Sequence, residues 1–274
     1  MISLVLPAFN PGASVDRTWE AVREFLGRRT ESWEVLFVLD GCTDGSPERI
    51  AGLMQADPDP RIRILHYLPN RGKGHAVRVG LRAAAGEYRI FTDIDLAYGF
   101  DDVSRIADAL LAGARVAIAS REHPDSLVQL RPRHLGYAYR RRIQSGIFGG
   151  LARMLLPITQ HDTQAGLKGM TAAVADMLMP RLRCDGFGFD CELLTACTRY
   201  EIPVVEVPVC VRYDEEAAST TSAGGTVRML KELWKIRKLW SAKKPRPEPL
   251  PLDVDVKSVE MLQTVGQKSA AKAA

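Results

Sequence analysis

The chain has no run approaching the roughly 18 consecutive apolar residues that a bilayer-spanning helix requires, so a membrane-embedded protein is not expected. Cys-x-x-Cys and Cys/His ligand spacings are also absent. The five cysteines, Cys42, Cys184, Cys191, Cys197 and Cys210, form an odd, scattered set. That pattern argues against a disulfide framework or a structural zinc site and predicts a reducing compartment. Neither sign of charge dominates: 37 Lys and Arg against 33 Asp and Glu leave +4 over 274 residues. Nucleic-acid binding calls for a concentrated basic stripe, so no nucleic-acid partner is expected. The opening MISLVLPAFNPG carries no basic leader and meets Pro7 too early for a signal-peptide core, which predicts a cytoplasmic protein.

Two nucleotide-binding signatures are missing as well. No GxGxxG follows the first apolar run, where PAFNPG stands instead. Asn70-Arg71-Gly72-Lys73-Gly74-His75 lacks both the P-loop spacing and a Ser or Thr after Lys73. ATPase and dinucleotide-oxidoreductase readings thereby lose their main support.

What is present, from Ile2 to about Tyr213, is alternation of short apolar runs with helical patterns, the appearance of an α/β sheet with crossover helices. ISLVLPA, WEVLFVLD, RIRILHYL, YRIFTD, ARVAIAS and a late pair around Ile202 to Arg212 read as strands. Between the first two, Val15, Trp19, Val22 and Phe25 recur at helical spacing, with Ser14 as cap and Gly27 as stop.

Carboxylates cluster where these strands end. Asp40, at the end of the second run, precedes a glycine turn and a helix start opened by Ser46 and Pro47, so it faces the crevice where α/β sheets bind ligands. The alternative is a capped turn in which Asp44 or Ser46 satisfies backbone donors. After YRIF come Asp93 and Asp95. In extended backbone, residues two apart project to one side, so the pair is expected to offer hard oxygens to one divalent cation, Mg2+ or Mn2+. The glycines of NRGKGH allow close backbone approach, and Arg71 and Lys73 add positive charge for a phosphate. Asp190 and Glu192, in GFGFDCELL, could supply a base or bind sugar hydroxyls; their alternative is a capping box.

Taken in order, PAFNPG, VLDGCTDGS, NRGKGHAVRVG, TDIDL, ASRE, DTQAGLKGM and GFGFDCELL resemble glycosyltransferase family 2, in particular its dolichyl-phosphate glucosyltransferase and dolichol-phosphate mannose synthase branch. The resemblance implies a GT-A fold: α/β, Rossmann-like, with a mostly parallel mixed central sheet flanked by helices. It implies a nucleotide-diphosphate sugar, UDP-glucose or GDP-mannose, contacted by Pro7, Ala8, Asn10, Asp40, Asp44, Lys73, Asp93, Gln164 and Lys168. Asp93 and Asp95 match the metal-holding DxD pair. Asp190, Arg121 and Asp162 are the implied catalytic residues, and Arg121, with Arg133 or Arg140, is the implied acceptor-phosphate ligand. One departure is Ala97, which stands where mannose synthases commonly place a glutamine and pulls the match toward the glucosyl branch.

The implied reaction is transfer of a hexose, with inversion, to a polyprenyl phosphate at the cytoplasmic membrane face. A soluble glycan or other hydroxyl acceptor is the alternative. A sugar-1-phosphate nucleotidyltransferase is a further one, although its GxGxRL signature is lacking.

The organisation expected is a catalytic domain over 1–215, a flexible loop plus basic helix over 216–240, and a Pro-rich disordered tail over 241–274. From Thr226 to Trp240, Met229, Leu233, Ile236 and Trp240 share one side, with Arg228, Lys231, Lys235 and Lys238 opposite. That pattern predicts a membrane-surface helix, or one packed on the domain or on a second subunit. An oligomer is compatible with either outcome.

Overall fold

The computed structural model describes residues 1–29, 31–130, 146–213, 223–241 and 246–250. Its frame is a seven-stranded sheet in the order β3-β2-β1-β4-β7-β5-β8, built from β1 (Ile2–Ala8), β2 (Trp33–Asp40), β3 (Ile62–Tyr67), β4 (Tyr88–Phe91), β5 (Val116–Ser120), β7 (Lys168–Thr171) and β8 (Val204–Pro208). A small parallel pair, β6 (Leu127–Leu130) with β9 (Cys210–Tyr213), stands beside it. The helices are α1 (Ser14–Gly27), α2 (Ser46–Ala56), α3 (Lys73–Ala83), α4 (Phe100–Leu111), α5 (146–155), α6 (Ala172–Leu178), α7 (Phe189–Arg199) and α8 (Ala223–Leu239).

Every residue of β1 and β2 is buried. Their near-continuous apolar runs are what a parallel sheet covered on both faces demands. One core layer takes Leu4 and Leu6 with Val15, Trp19, Val22, Leu26 and Ile106 from α1 and α4. The other takes Val5, Leu36 and Val38 with Val77, Leu193 and Leu194 from α3 and α7. The α1 boundaries match the expected ones, but Ala13 is the N-cap residue and no side chain caps the helix.

The chain leaves β1 toward β2 on one side and later returns to pair β4 on the other. That change of direction opens a crevice beyond the C-terminal ends of β1 and β4, the topological switch point of an open α/β sheet. A short strand that the sequence pattern did not reveal completes the arrangement. β7 runs antiparallel between β4 and β5, with Lys168 opposite Phe91, so the DTQAGLKG segment arrives beside the end of β4.

Helix α8 corrects one expectation. Leu233, Ile236 and Trp240 are buried in the same core layer as α3 and α7, so the apolar stripe is used inside the protein and is not available for insertion into a membrane. Trp240 Nε1 donates to Glu192 Oε1 at 2.9 Å, and Arg237 donates to the Leu155 carbonyl of α5. Lys231, Lys235 and Lys238 stay exposed, as expected, together with Trp234 at 64%. Arg228 and Met229 have side chains outside the described set. None of the described helices is long and apolar enough to cross a membrane.

Of the proline-rich tail, residues 246–250 depart from the expected disorder, while 242–245 and 251–274 lie outside the described residues. Residues 246–250 form neither helix nor strand, as the prolines require, but they are docked rather than disordered. Arg246 stacks over Tyr200 at 4.3 Å, and the Leu250 amide donates to the Pro180 carbonyl at 2.8 Å.

Candidate active site

Two loops at the crevice are stitched together by their own polar groups. The Thr43 amide donates to Asn10 Oδ1 at 2.8 Å, while the Gly12 and Ser46 amides donate to the Asp44 carboxylate at 2.9 and 3.1 Å. Despite the cost of desolvation, the hydrogen bonds from Ser46 and Gly12 hold the Asp44 carboxyl below its ordinary range. Asp44 therefore performs the turn-satisfying role given above as the alternative. Pro7 and Ala8 lie within β1, buried opposite Val38 and Leu39, and form the floor of the crevice. Asn10 is exposed at its rim.

Asp40 is 2% exposed and turns inward. Its Oδ1 accepts from the Arg71 amide at 2.8 Å, and its Oδ2 accepts from the Gly72 amide at 2.8 Å and Asn70 Nδ2 at 3.0 Å. A carboxylate holding these three donors positions the NRGKG loop. Gly41 makes this possible: its φ is +67°, and a Cβ there would collide with the Asn70 backbone.

That loop delivers Lys73 into the crevice. Lys73 Nζ lies 2.6 Å from Asp93 Oδ1. Desolvation disfavours the ammonium, but Asp93, Asp190 and Asp95 outweigh it and hold Lys73 above its ordinary range. This shared field brings residues from three separate motifs to one place. Asp93 and Asp95 are not presented by a strand, however. β4 ends at Phe91, and the pair lies in a turn closed by the Leu96 amide on the Asp93 carbonyl at 3.1 Å, with Leu96 at φ +50°. The spacing argument from extended backbone thus fails locally, although Asp93 still pairs with Lys73 and the charge of Asp95 acts on the same lysine. Gly166 packs directly on the Asp93 carboxylate: a Cβ there would meet Oδ2, which would have to move aside.

Among the described residues no three His, Cys, Asp or Glu side chains gather as a closed metal cage. The donor set nonetheless suits a hard cation. Two carboxylates at an open turn, beside a lysine that already offsets the charge of Asp93, match a Mg2+ or Mn2+ ion completed by substrate phosphates and water.

Behind this rim, Lys168 Nζ pairs with Asp190 Oδ1 at 2.6 Å and also donates to the Ala165 carbonyl. Lys168 is 0% exposed and Asp190 5%. Asp190 is therefore tied at the start of α7 through one of its carboxylate oxygens. Glu192 is fully buried and accepts from the Arg183 and Cys184 amides and from Trp240. It joins α7 to α8 and is not part of a capping box.

Arg121 and Asp162 form a two-point pair, Nε to Oδ2 at 2.7 Å and Nη2 to Oδ1 at 2.9 Å, with the Arg121 amide on Oδ2 at 3.0 Å. Although burial pushes the Asp162 carboxyl upward, the hydrogen bonds and charge of Arg121 win and leave it below its ordinary range. Asp162 thus fixes the guanidinium. The lining of a cavity of about 120 Å3 beside it includes Arg121, Glu122, Arg153, His161, Asp162 and Gln164. Arg153 was not anticipated; its helix carries no motif, and only the packing of α5 places it here. Arg133 and Arg140 lie outside the described residues.

The comparisons with known proteins agree with this architecture. The model of the Glycosyl transferase family 2 matches residues 3–176. A dolichyl-phosphate beta-glucosyltransferase of Dictyostelium discoideum is 26% identical over 248 residues, covering 86% of this chain and 73% of its own. A polyprenol monophosphomannose synthase of Mycolicibacterium smegmatis is 29% identical, over 71% of this chain and 72% of its own. Among solved structures, a glucosyl-3-phosphoglycerate synthase from Mycobacterium tuberculosis, crystallised with Mn2+, UDP-glucose and phosphoglyceric acid, superposes with a TM-score of 0.62 at 16% identity. That superposition covers 87% of this chain and 80% of the other. The switch-point crevice, the acidic turn after β4 and the motif order from β1 to β7 converge with the family match: the chain belongs to glycosyl transferase family 2.

Proposed function

We propose that this protein is an inverting, divalent-metal-dependent hexosyltransferase that moves a hexose from UDP-glucose or GDP-mannose to a polyprenyl phosphate at the cytoplasmic face of a membrane. The names of its relatives support the acceptor class and a glucosyl or mannosyl group. The neighbour crystallised with Mn2+ and UDP-glucose supports the donor and the metal. The catalytic domain in this reading is 1–215, buttressed by α8.

The observation that carries the acceptor reading is the Arg121–Asp162 pair. A phosphate acceptor is already anionic near neutral pH and needs orienting cations more than a base. A guanidinium locked at two points, with Arg153 in the same cavity, supplies them. A hydroxyl acceptor would need a general base, and Asp190, the expected one, is engaged by Lys168. Asp93 and Asp95 would hold the cation, whose chemistry is to neutralise charge on the departing diphosphate. Lys73 adds a second positive charge beside that position. Asn10 and Gln164 border the donor space, while Asp40 and Asp44 hold the loops that shape it.

Incubating the full chain with UDP- and GDP-sugars, and with either a polyprenyl phosphate or soluble glycans, tests this reading. Sugar should pass into the lipid phase, with inverted anomeric configuration by NMR, and a chelator should stop it. Transfer to glycans alone would remove the lipid acceptor, and undiminished transfer in chelator would remove the metal.

A further inference from the structure

On the outer side of α3, away from Asp93 and Asp190, lies a second and larger cavity of about 270 Å3. At about 30 Å3 per water it has room for about nine. Arg71, Arg78 and Arg82 line it from the α3 side, Arg183 from the segment before α7, and Leu250 of the docked tail from a third side. Among the described residues Asp185 is the sole carboxylate in this lining; it pairs with Arg78. Glu192, which is buried nearby, Asp176, which pairs with Arg89, and Glu248, whose carbonyl accepts from Arg183, are further acidic residues in the neighbourhood.

The hydrogen bonds of these guanidiniums go largely to neutral carbonyls. Arg78 donates to Cys184 O, Arg82 to Leu250 O, and Arg183 to Pro180, Leu182 and Glu248 O. Carbonyl dipoles satisfy donors but do not neutralise charge, so among the described residues Arg78, Arg82 and Arg183 share one lining carboxylate. Desolvation, and after it the repulsion from Arg78, lowers Arg82; desolvation also lowers Arg183, where Glu192 opposes and Arg78 and Arg181 add to the effect. His75 also lines the cavity, its side chain 7% exposed.

We infer that this cavity is a binding site for a soluble phosphomonoester or inorganic phosphate, held by Arg78, Arg82 and Arg183. Phosphate is the anion whose oxygens suit several guanidiniums at once. The volume suits a phosphoryl group with a small organic portion, while Leu250 and the 246–250 segment narrow the approach for a bilayer surface. The site also touches the machinery described above. The Gly74 amide donates to the Asp185 carbonyl at 2.8 Å, so the walls that would hold the anion are continuous with the loop carrying Lys73.

The test titrates the full chain with inorganic phosphate and with glycerol 3-phosphate, chloride holding the ionic strength constant, and follows the thermal midpoint. Wild type should be stabilised with a dissociation constant at or below about 1 mM. Arg82→Gln removes a charge-assisted contact and should weaken that response by about 10- to 100-fold. Leu250→Glu, at an exposed position where folding is not at stake, brings a tethered carboxylate to the cavity and should weaken it similarly. Vesicles containing phosphatidic acid should not compete. A wild-type response retained in both variants, no response in any protein, or a response to vesicles alone would each overturn the inference.

Discussion

Two lysine–aspartate pairs of equal length, both 2.6 Å, stand a few residues apart in the crevice and in the core behind it. Lys73–Asp93 is partly open, its side chains 20% and 36% exposed; Lys168–Asp190 is closed, at 0% and 7%. Distance does not distinguish them, but dielectric surroundings do. An ion pair that water can reach is exchangeable, because hydration compensates each charge when its partner leaves. A pair sealed from water is a lock, because removing one partner strands the other in a medium that cannot solvate it. The open pair belongs at a place where a cation and a diphosphate arrive and depart. The closed pair joins β7 to α7 and keeps the 162–168 segment over the crevice.

The largest expected effect comes from breaking the lock. Lys168→Met should cost about 3–5 kcal/mol of stability, read as a lower denaturation midpoint. Asp190→Asn should act likewise, so its loss of turnover would report unfolding as well as chemistry. If both variants keep the wild-type midpoint, the contrast between the pairs is broken.

Asp93→Asn, at the open pair, should leave the midpoint within about 1 kcal/mol of wild type. It should lower turnover by about 100- to 1,000-fold and abolish the manganese dependence of donor binding in calorimetry. A smaller loss, about 10- to 100-fold, is expected for Arg121→Lys, which keeps the charge but gives up the two-point geometry; it should appear in the acceptor KM more than in donor affinity. Trp240→Phe should destabilise by about 1–3 kcal/mol without changing metal dependence, since it removes one donor from buried Glu192.

The smallest effect is one of pH. His75, whose Nδ1 lies 3.6 Å away, and the hydrogen bond and charge of Arg78 overcome desolvation and hold the Asp185 carboxyl down to about 2, from an ordinary 3.8. A depressed carboxyl contributes stability above its unfolded value and loses it as the pH falls through its folded one. The wild-type advantage over Asp185→Asn should therefore be full near neutrality and fade between about pH 4 and pH 2. Because Asp185 is 42% exposed, solvent screening limits that advantage to about 1 kcal/mol or less. Acid-unfolding curves of the two proteins would measure it.

Much of this molecule was legible in one dimension. β1, β2 and α1 lie where apolar runs and 3.6-residue spacing put them, and the seven motifs fall at strand ends and helix starts. Local pattern carries such information because burial on both faces of a parallel strand, or on one face of a helix, leaves a periodic signature. Other features leave none. Nothing in DTQAGLKGM announces an antiparallel strand, since four residues containing a lysine and a glycine do not read as one. Arg153 belongs to no motif. Asp40 looked ligand-facing from its place at a strand end, yet its partners, some 30 residues downstream, turn it inward. The stripe on α8 was equally compatible with lipid and with protein until the fold placed a core beneath it.

The sequence by itself settled the family, the α/β alternation and the acidic residues that gather at the crevice, because these depend on residue type and spacing along the chain. Tertiary structure alone decided which carboxylates are exchangeable and which are sealed, where the basic helix spends its apolar face, and that four arginines surround one cavity. The physical reason is that the energy of a charge depends on its partners and its access to water, and both are fixed by residues distant in the chain.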